Sequence, residues 1–238
     1  MKITCIDPFV EQKEARTKLY SQFVNDGDLV FNVGASFGDR TEIFADFGAK
    51  VIALEPQPSM AGVLRSRFNA REDVTIIEAA AGAEMGTMEL MLCGNNPVPL
   101  ATAEPAWIQS IEEKYCRNWP MESWDQKITV KQVTLDSLID QYGVPDFVKI
   151  DVDGWERFVL QGLNQKVPRL CFEVTIPYGE PGIGCVTDVA ERLGFTEFNY
   201  LIQETMQLML PEWADAESMA SLLRSMPVQV FFVDVFAR

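Results

Sequence analysis

The sequence contains no histidine. That removes the commonest general base, every Ser–His catalytic pair and most transition-metal sites. Positive charge is scarce: 20 lysines and arginines face 35 acids, a net charge of −15. Such a chain repels nucleic acid, and no basic stripe offsets the excess. An anionic membrane surface is disfavoured for the same reason. No apolar run is long enough to span a bilayer, and Met1 to Ile6 is too short for a signal peptide. The cysteines (Cys5, Cys93, Cys116, Cys171 and Cys185) are odd in number and widely spaced, with no C-x-x-C. This fits a reduced, cytoplasmic protein rather than a disulfide framework. Internal repeats and low-complexity tracts are also missing.

What is present is organised around Asp28 to Pro58, which reads as strand, glycine loop, helix, strand and acid. Leu29 to Val33 is a short apolar run suited to a buried parallel strand. Gly34, Ala35, Ser36, Phe37 and Gly38 break it; Asp39 to Phe47 returns to helical spacing and Gly48 stops it. Val51 to Leu54 is a second strand, ending on Glu55. Glycines at the carboxyl end of a strand let backbone approach a ligand, and the following helix start offers free N–H groups. An acid at the end of the next strand can accept both hydroxyls of a ribose. The dinucleotide fingerprint fails, since Ser36 and Asp39 stand where glycines are needed. The phosphate loop fails too, because no lysine follows Gly38.

Pro8 to Val24 reads as an amphipathic helix, either packed on a sheet or capping a cofactor. Residues 1–26 are thus set apart from a main domain over 27–238. Beyond Glu55, a helix with Met60, Leu64 and Phe68 on one face leads to a strand at Val74 to Glu78. Ala79 and Ala80 follow, small enough for an adenine to lie flat against backbone. Thr87 to Leu92 reads as a hairpin strand. This alternation predicts an α/β fold with a doubly wound, mostly parallel sheet. Cys93 to Gln126, rich in proline and aromatics, interrupts it, with a short helix at Trp107 to Arg117. Such a segment is a substrate lid or a crossover packed on the sheet. Thr134 caps a helix closed by Gly143. Phe147 to Ile150 is a buried strand carrying Lys149, with Asp151 and Asp153 at its carboxyl end. Leu170 to Val174 is a fifth strand with Glu173 near its end; a helix to Leu193, a strand at Phe198 to Ile202, a helix at Met219 to Met226 and a strand at Val228 to Phe236 complete the chain.

The glycine loop with Asn32 two residues before it, ALEPQP, TLDSLID, DFVKIDVDGWERFVLQG, CFEV and the terminal FFVDVFA occur in this order. Together they resemble the FkbM family of class I S-adenosylmethionine-dependent methyltransferases, from about Gly27 to Gly162 and again at the last strand. The glycine loop resembles the family form D/E-x-G-x-G-x-G, with Asn32 in place of the acid and Ser36 in place of the middle glycine. The resemblance implies a Rossmann-like seven-stranded sheet of order 3-2-1-4-5-7-6 with an antiparallel last strand. It also implies methyl transfer to a hydroxyl on a sugar, polyketide or related small molecule. Carried over by position, Asn32, Gly34, Ala35, Ser36 and Gly38 surround the methionine part of the cofactor, and Thr41 lies near its carboxylate. Glu55 holds the ribose, with Pro56 and Gln57 at its edge; Ala80 lies near the adenine, and Asp151 faces the reacting centre.

An alcohol nucleophile must lose its proton. Without histidine the candidates are Asp151, Asp153, Glu173, Lys149 and a tyrosine, with Asp151 first and Glu173 second. Asp151 could instead hold the methionine amino group. Asp151, Asp153 and Glu173 could together bind a divalent cation such as Mg²⁺. Two rival readings stay open: a nicotinamide-dependent oxidoreductase, which lacks its glycine fingerprint and a Tyr-x-x-x-Lys pair, and a non-catalytic module on the same fold. A two-fold dimer is the default assembly.

Overall fold

The computed structural model describes residues 8–93, 100–115, 124 and 126–238. In chain order its elements begin with α1 (Pro8–Tyr20), β1 (Leu29–Val33), α2 (Asp39–Asp46), β2 (Lys50–Leu54), α3 (Pro58–Arg67) and β3 (Val74–Ile77). There follow β4 (Ala80–Ala81), β5 (Gly86–Leu92), β6 (Ala101–Thr102), α4 (Pro105–Tyr115), β7 (Gln126–Val133) and α5 (Leu135–Tyr142). The chain ends with β8 (Phe147–Ile150), α6 (Glu156–Gln161), β9 (Leu170–Thr175), α7 (Glu180–Leu193), β10 (Phe198–Ile202), α8 (Ala216–Ser225) and β11 (Phe232–Ala237). Among the described residues no helix is long and apolar enough to cross a membrane.

Seven strands form the main sheet in the order β3-β2-β1-β8-β9-β11-β10. Counted along the chain this is the 3-2-1-4-5-7-6 order that the family resemblance implies. β1, β2, β3, β8 and β9 pair in parallel, and β11 runs antiparallel to both β9 and β10. Both faces are covered, which is why the strands are near-continuous apolar runs. On one face Leu19 and Tyr20 of α1, with Phe23, pack against Phe44, Phe147 and Phe236. The Phe23 and Phe236 rings stack at 4.6 Å, and Tyr20 meets Phe44 edge-on at 5.0 Å. The α5–α8 half of the chain covers the other face, through Leu138, Val159, Val186 and Leu223 among others. Burying each such side chain contributes about 1.5–3 kcal/mol.

Several boundaries differ from the sequence reading. α1 stops at Tyr20, four residues short of Val24, and it packs on the sheet; no described residue of it lines the cavity described below. The last strand begins at Phe232 rather than Val228, because Pro227 opens a turn closed by the Val230 N–H on its carbonyl. The helix expected at Trp107 to Arg117 is Pro105–Tyr115; Cys116, Arg117 and Trp119 lie outside the described residues, as do Cys5, Pro97 and Pro99.

A second sheet, ordered β4-β7-β5-β6, was not anticipated. The hairpin expected from Thr87 to Leu92 closes across the whole aromatic segment: β5 pairs antiparallel with β7, from Gly86 opposite Gln132 to Leu92 opposite Gln126. Leu90, Val130 and Ala80 bury their side chains together, flanked by Met88 and Ile128.

Candidate active site

The carboxyl ends of β1, β2, β8 and β9 open into a cavity of about 330 Å³, at the edge where open α/β sheets hold ligands. Gly34, the first residue after β1, has φ +81°, and a Cβ there would overlap the carbonyl oxygen of Asp151. The loop therefore needs glycine to let β1 and β8 end side by side. The N–H groups of Gly34 and Ala35 donate to the Leu54 carbonyl at 3.0 and 2.8 Å, folding the loop over the end of β2. Glu55 then faces it. Its Oε2 accepts from the Ser36 N–H and its Oε1 from the Gln57 N–H, both at 2.9 Å. Burial raises the Glu55 carboxyl above its ordinary value, and those two N–H groups oppose the rise. Each oxygen keeps a lone pair for a hydroxyl. Leu54, Ala79, Ala80, Ala81, Met88 and Leu90 give the same end of the cavity small or apolar walls. A nucleoside fits this arrangement: a carboxylate for the ribose and a thin apolar slot for the base.

The opposite end is charged. Lys149 is wholly buried and donates to Asp234 Oδ1 at 2.7 Å, with Asp151 Oδ2 at 3.5 Å. Arg40, on the first turn of α2, places Nη1 3.5 Å from Asp151 Oδ2 and Nη2 3.6 Å from Glu204 Oε1. Burial alone would raise the Asp151 carboxyl, but Lys149 and Arg40 outweigh it and hold it below the usual range. Glu173 goes the other way: burial, then repulsion from Asp151, Glu156, Asp153 and Asp234, pushes it well up. Asp153 is likewise raised, first by burial and then by Asp151, Glu156 and Glu55. Two acids at one edge of the sheet thus differ in character, Asp151 with its proton affinity lowered by cations and Glu173 with its proton affinity raised.

The aromatic segment forms part of the wall through Leu100, Ala101 and Ala103. It is pinned to the β8 end: Thr102 Oγ1 donates to the Asp153 carbonyl at 2.6 Å. The Trp107 ring lies against Gly154, whose φ of +92° and lack of a Cβ make room for it. Trp107 Nε1 donates to Thr175 Oγ1 at 2.9 Å, and that hydroxyl donates to Glu173 Oε1 at 3.4 Å. The segment thereby fixes Glu173.

Of the residues the sequence singled out, Gly34, Ser36, Glu55, Pro56, Gln57, Ala80, Asp151 and Glu173 line the cavity. Asn32, Ala35, Gly38 and Thr41 do not. Asn32 Nδ2 donates to Thr41 Oγ1 at 2.9 Å with both side chains buried, a tie between β1 and α2 behind the loop. A Cβ at Gly38 would press on Leu64 and Phe68 at 2.7 and 2.6 Å, so that glycine serves packing on α3. Asp151, Asp153 and Glu173 do not assemble into a cation site: among the described residues no group of three or more His, Cys, Asp or Glu could hold a metal. Arg40, Glu204, Trp155, Phe231 and Phe232 also line the cavity and were missed. Trp155 and Phe232 read as core-forming residues and Arg40 as an exposed helix charge; Glu204 sits in a loop with no pattern.

Residues 32–213 match the methyltransferase FkbM domain family. A Methanosarcina mazei protein described as a probable ribosomal RNA small subunit methyltransferase A is 43% identical over 54 residues, 23% of this chain and 20% of that protein's length. Among solved structures, Aeropyrum pernix fibrillarin with natively bound S-adenosyl-L-methionine aligns with a TM-score of 0.50 at 11% identity, over 95% of this chain and 74% of that one. A Thermotoga maritima S-adenosylmethionine-dependent O-methyltransferase aligns at 0.47 and 12% identity, over 100% and 67%. The family match spans most of the chain, and the nicotinamide and non-catalytic readings give way to it. The chain belongs to the FkbM methyltransferase family and is an S-adenosylmethionine-dependent enzyme.

Proposed function

We propose that the enzyme methylates a hydroxyl oxygen of a small, uncharged hydroxylated molecule. The observation that carries this reading is Glu173, a buried carboxyl at the cavity wall with a high proton affinity, held by the Trp107–Thr175 relay. Bound S-adenosylmethionine supplies an electrophilic methyl carbon, transferred in line to a nucleophile. Glu55 binds the ribose, and Asp151, kept ionised, meets the methionine end. Glu173 in its ionised form accepts the proton of the attacking hydroxyl as the C–O bond forms, its raised proton affinity making it the stronger base of the two acids. This reverses the order of the two acids expected from sequence: Asp151 is too well paired with cations to take a proton readily.

Trp155, Phe231, Phe232, Leu100 and Ala103 offer apolar faces to an acceptor, while Asp151 and Glu204 oppose a phosphate or carboxylate in the same space. Cys171 and Cys185 are buried thiols outside any disulfide, which supports a reducing, cytoplasmic setting.

The test is S-adenosylhomocysteine release over a panel of neutral glycosides and polyketide alcohols, with product masses. A gain of one CH₂ as an acid-stable ether is expected. Glu173→Gln lowers kcat about 10²–10⁴-fold with KM for S-adenosylmethionine unchanged. Full activity in that variant would remove Glu173 as the base.

A further inference from the structure

We propose that Trp155 and Asp153 select the acceptor through a second hydroxyl, on the carbon next to the one methylated: the Trp155 indole donates to it and the Asp153 carboxyl accepts from it. This rests on the enzyme being a methylator of hydroxyls and narrows its substrates to vicinal diols. Both residues line the cavity, on the turn between β8 and α6. Trp155 Nε1 is buried and has no hydrogen-bond partner among the described residues. A buried N–H left unpaired costs stability, so native structures rarely keep one without a use. The ring that carries it is held in place. Phe158 stacks on it at 3.8 Å between centroids, and the Arg157 guanidinium lies over the Phe158 ring at 4.3 Å. Arg157 Nη2 donates to Glu104 Oε2 at 3.1 Å, which ties the stack to the residue before α4. A donor fixed by packing in this way is a recognition group ready for its ligand.

Asp153 is the matching acceptor. Its backbone is left-handed at φ +52°, and Gly154 after it has φ +92°. The Thr102 Oγ1 bond to the Asp153 carbonyl, at 2.6 Å, fastens that turn. Lys149 and Arg40 pair with Asp151, and among the described residues no lysine or arginine forms an ion pair with Asp153. The Ala101 N–H reaches its carboxyl and leaves lone pairs free. A hydroxyl satisfies donor and acceptor at once, since it gives one hydrogen and keeps two lone pairs. A methylene in its place satisfies neither, and an ether oxygen serves only the indole. β8 and β9 are neighbouring strands with Ile150 opposite Phe172, so the turn after β8 stands beside Glu173. Strands paired in this way lie about 4.8 Å apart. Two acids at that spacing suit two hydroxyls on adjacent carbons, one giving its proton to Glu173 and the other bound by the turn.

Methyl transfer by the full chain to matched pairs of alcohols tests this: cyclohexane-1,2-diol with cyclohexanol, and methyl hexopyranosides with their monodeoxy counterparts. For any pair it accepts, wild type should show kcat/KM at least ~30-fold higher for the diol. Trp155→Phe keeps an aromatic ring and removes the N–H, and should cut that ratio ~5–20-fold. Asp153→Gly keeps the left-handed turn without strain and should cut it ~10-fold or more, while Asp153→Asn, which retains an acceptor oxygen, recovers part of the loss. A ratio taken within one protein is unmoved by a general loss of folded enzyme. A wild-type ratio near one overturns the assignment, needs no variant to fold, and leaves hydroxyl methylation standing. So does a ratio that neither variant moves. Failure to methylate any of these alcohols, in a protein that binds S-adenosylmethionine, overturns the hydroxyl reading and the diol assignment together.

Discussion

Lys149 is a charged residue with no solvent access, inside an apolar strand. Burial alone would strip its proton, but Asp151 and Asp234 hold it charged well above the usual lysine range. A buried pair adds little net stability while intact and costs much when halved. Lys149→Met leaves Asp234, itself buried, unpaired; the expected loss is about 3–5 kcal/mol in urea unfolding, and adding Asp234→Leu should recover most of it. Glu156 makes a second prediction, in pH. Burial raises its carboxyl from 4.5 to about 7, opposed by the Val152 N–H that it accepts at 2.9 Å. A raised acid binds its proton more tightly folded than unfolded, so its contribution is full below pH 4.5 and lost as pH rises through about 7. The fall is roughly 3 kcal/mol. Glu156→Gln keeps an acceptor for Val152 and should flatten the stability curve over that window; an unchanged slope would place the titration elsewhere. At this scale the sequence was readable where a residue broke its local pattern. Lys149 within FVKI and the acids after it stood out for that reason. Arg40 did not, because a charge in the first turns of a helix is usually a solvated one; only the fold shows α2 aiming it at the β8 end.

α4 and the short strand β6 act on the site as a unit, and one residue fastens them. Trp107 is buried against Gly154 and donates to Thr175. Trp107→Ala should cost about 3–5 kcal/mol and release the segment. Hydrogen exchange should then quicken over residues 100–115 and 151–156 while β1, β2 and β9 stay protected; a uniform rise would mean that the segment is an integral part of the core. The same unit explains what the sequence concealed. β1, α2, β2 and β8 are local patterns of apolar runs, glycines and caps, legible within a few residues. β7 is a strand whose partner, β5, lies on the far side of the proline- and aromatic-rich segment. Its sequence, QKITVKQV, is half polar because one of its faces meets solvent. No short-range signal specifies such a pairing, so the second sheet and the wall it contributes came only with the structure. Gly38, Thr41 and Asn32 carry roles that motif position did not suggest: they serve the packing of α2 on β1 and α3.

For the whole molecule the deciding quantity is charge. The M. mazei relative is described as acting on ribosomal RNA, but the likeness covers only 54 residues. Proteins that hold RNA gather Lys and Arg along the path of the backbone, and each phosphate contact makes affinity rise as salt falls. Here the net charge is −15, and the cavity itself sets Asp151 and Glu204 against Arg40. Lowering the salt lengthens the range of that repulsion and should push a polyanion further away. Fluorescence anisotropy with a labelled ribosomal RNA hairpin should therefore show no binding tighter than about 100 μM at 150 mM salt, and none gained at 50 mM. A neutral hydroxylated acceptor, once found, should bind with an affinity that hardly changes between the two conditions, since no counterions are released. An RNA affinity that climbed ten-fold or more on dilution of salt would reveal a phosphate-binding face despite the overall charge. It would move the acceptor from a small alcohol to a nucleotide within a polymer.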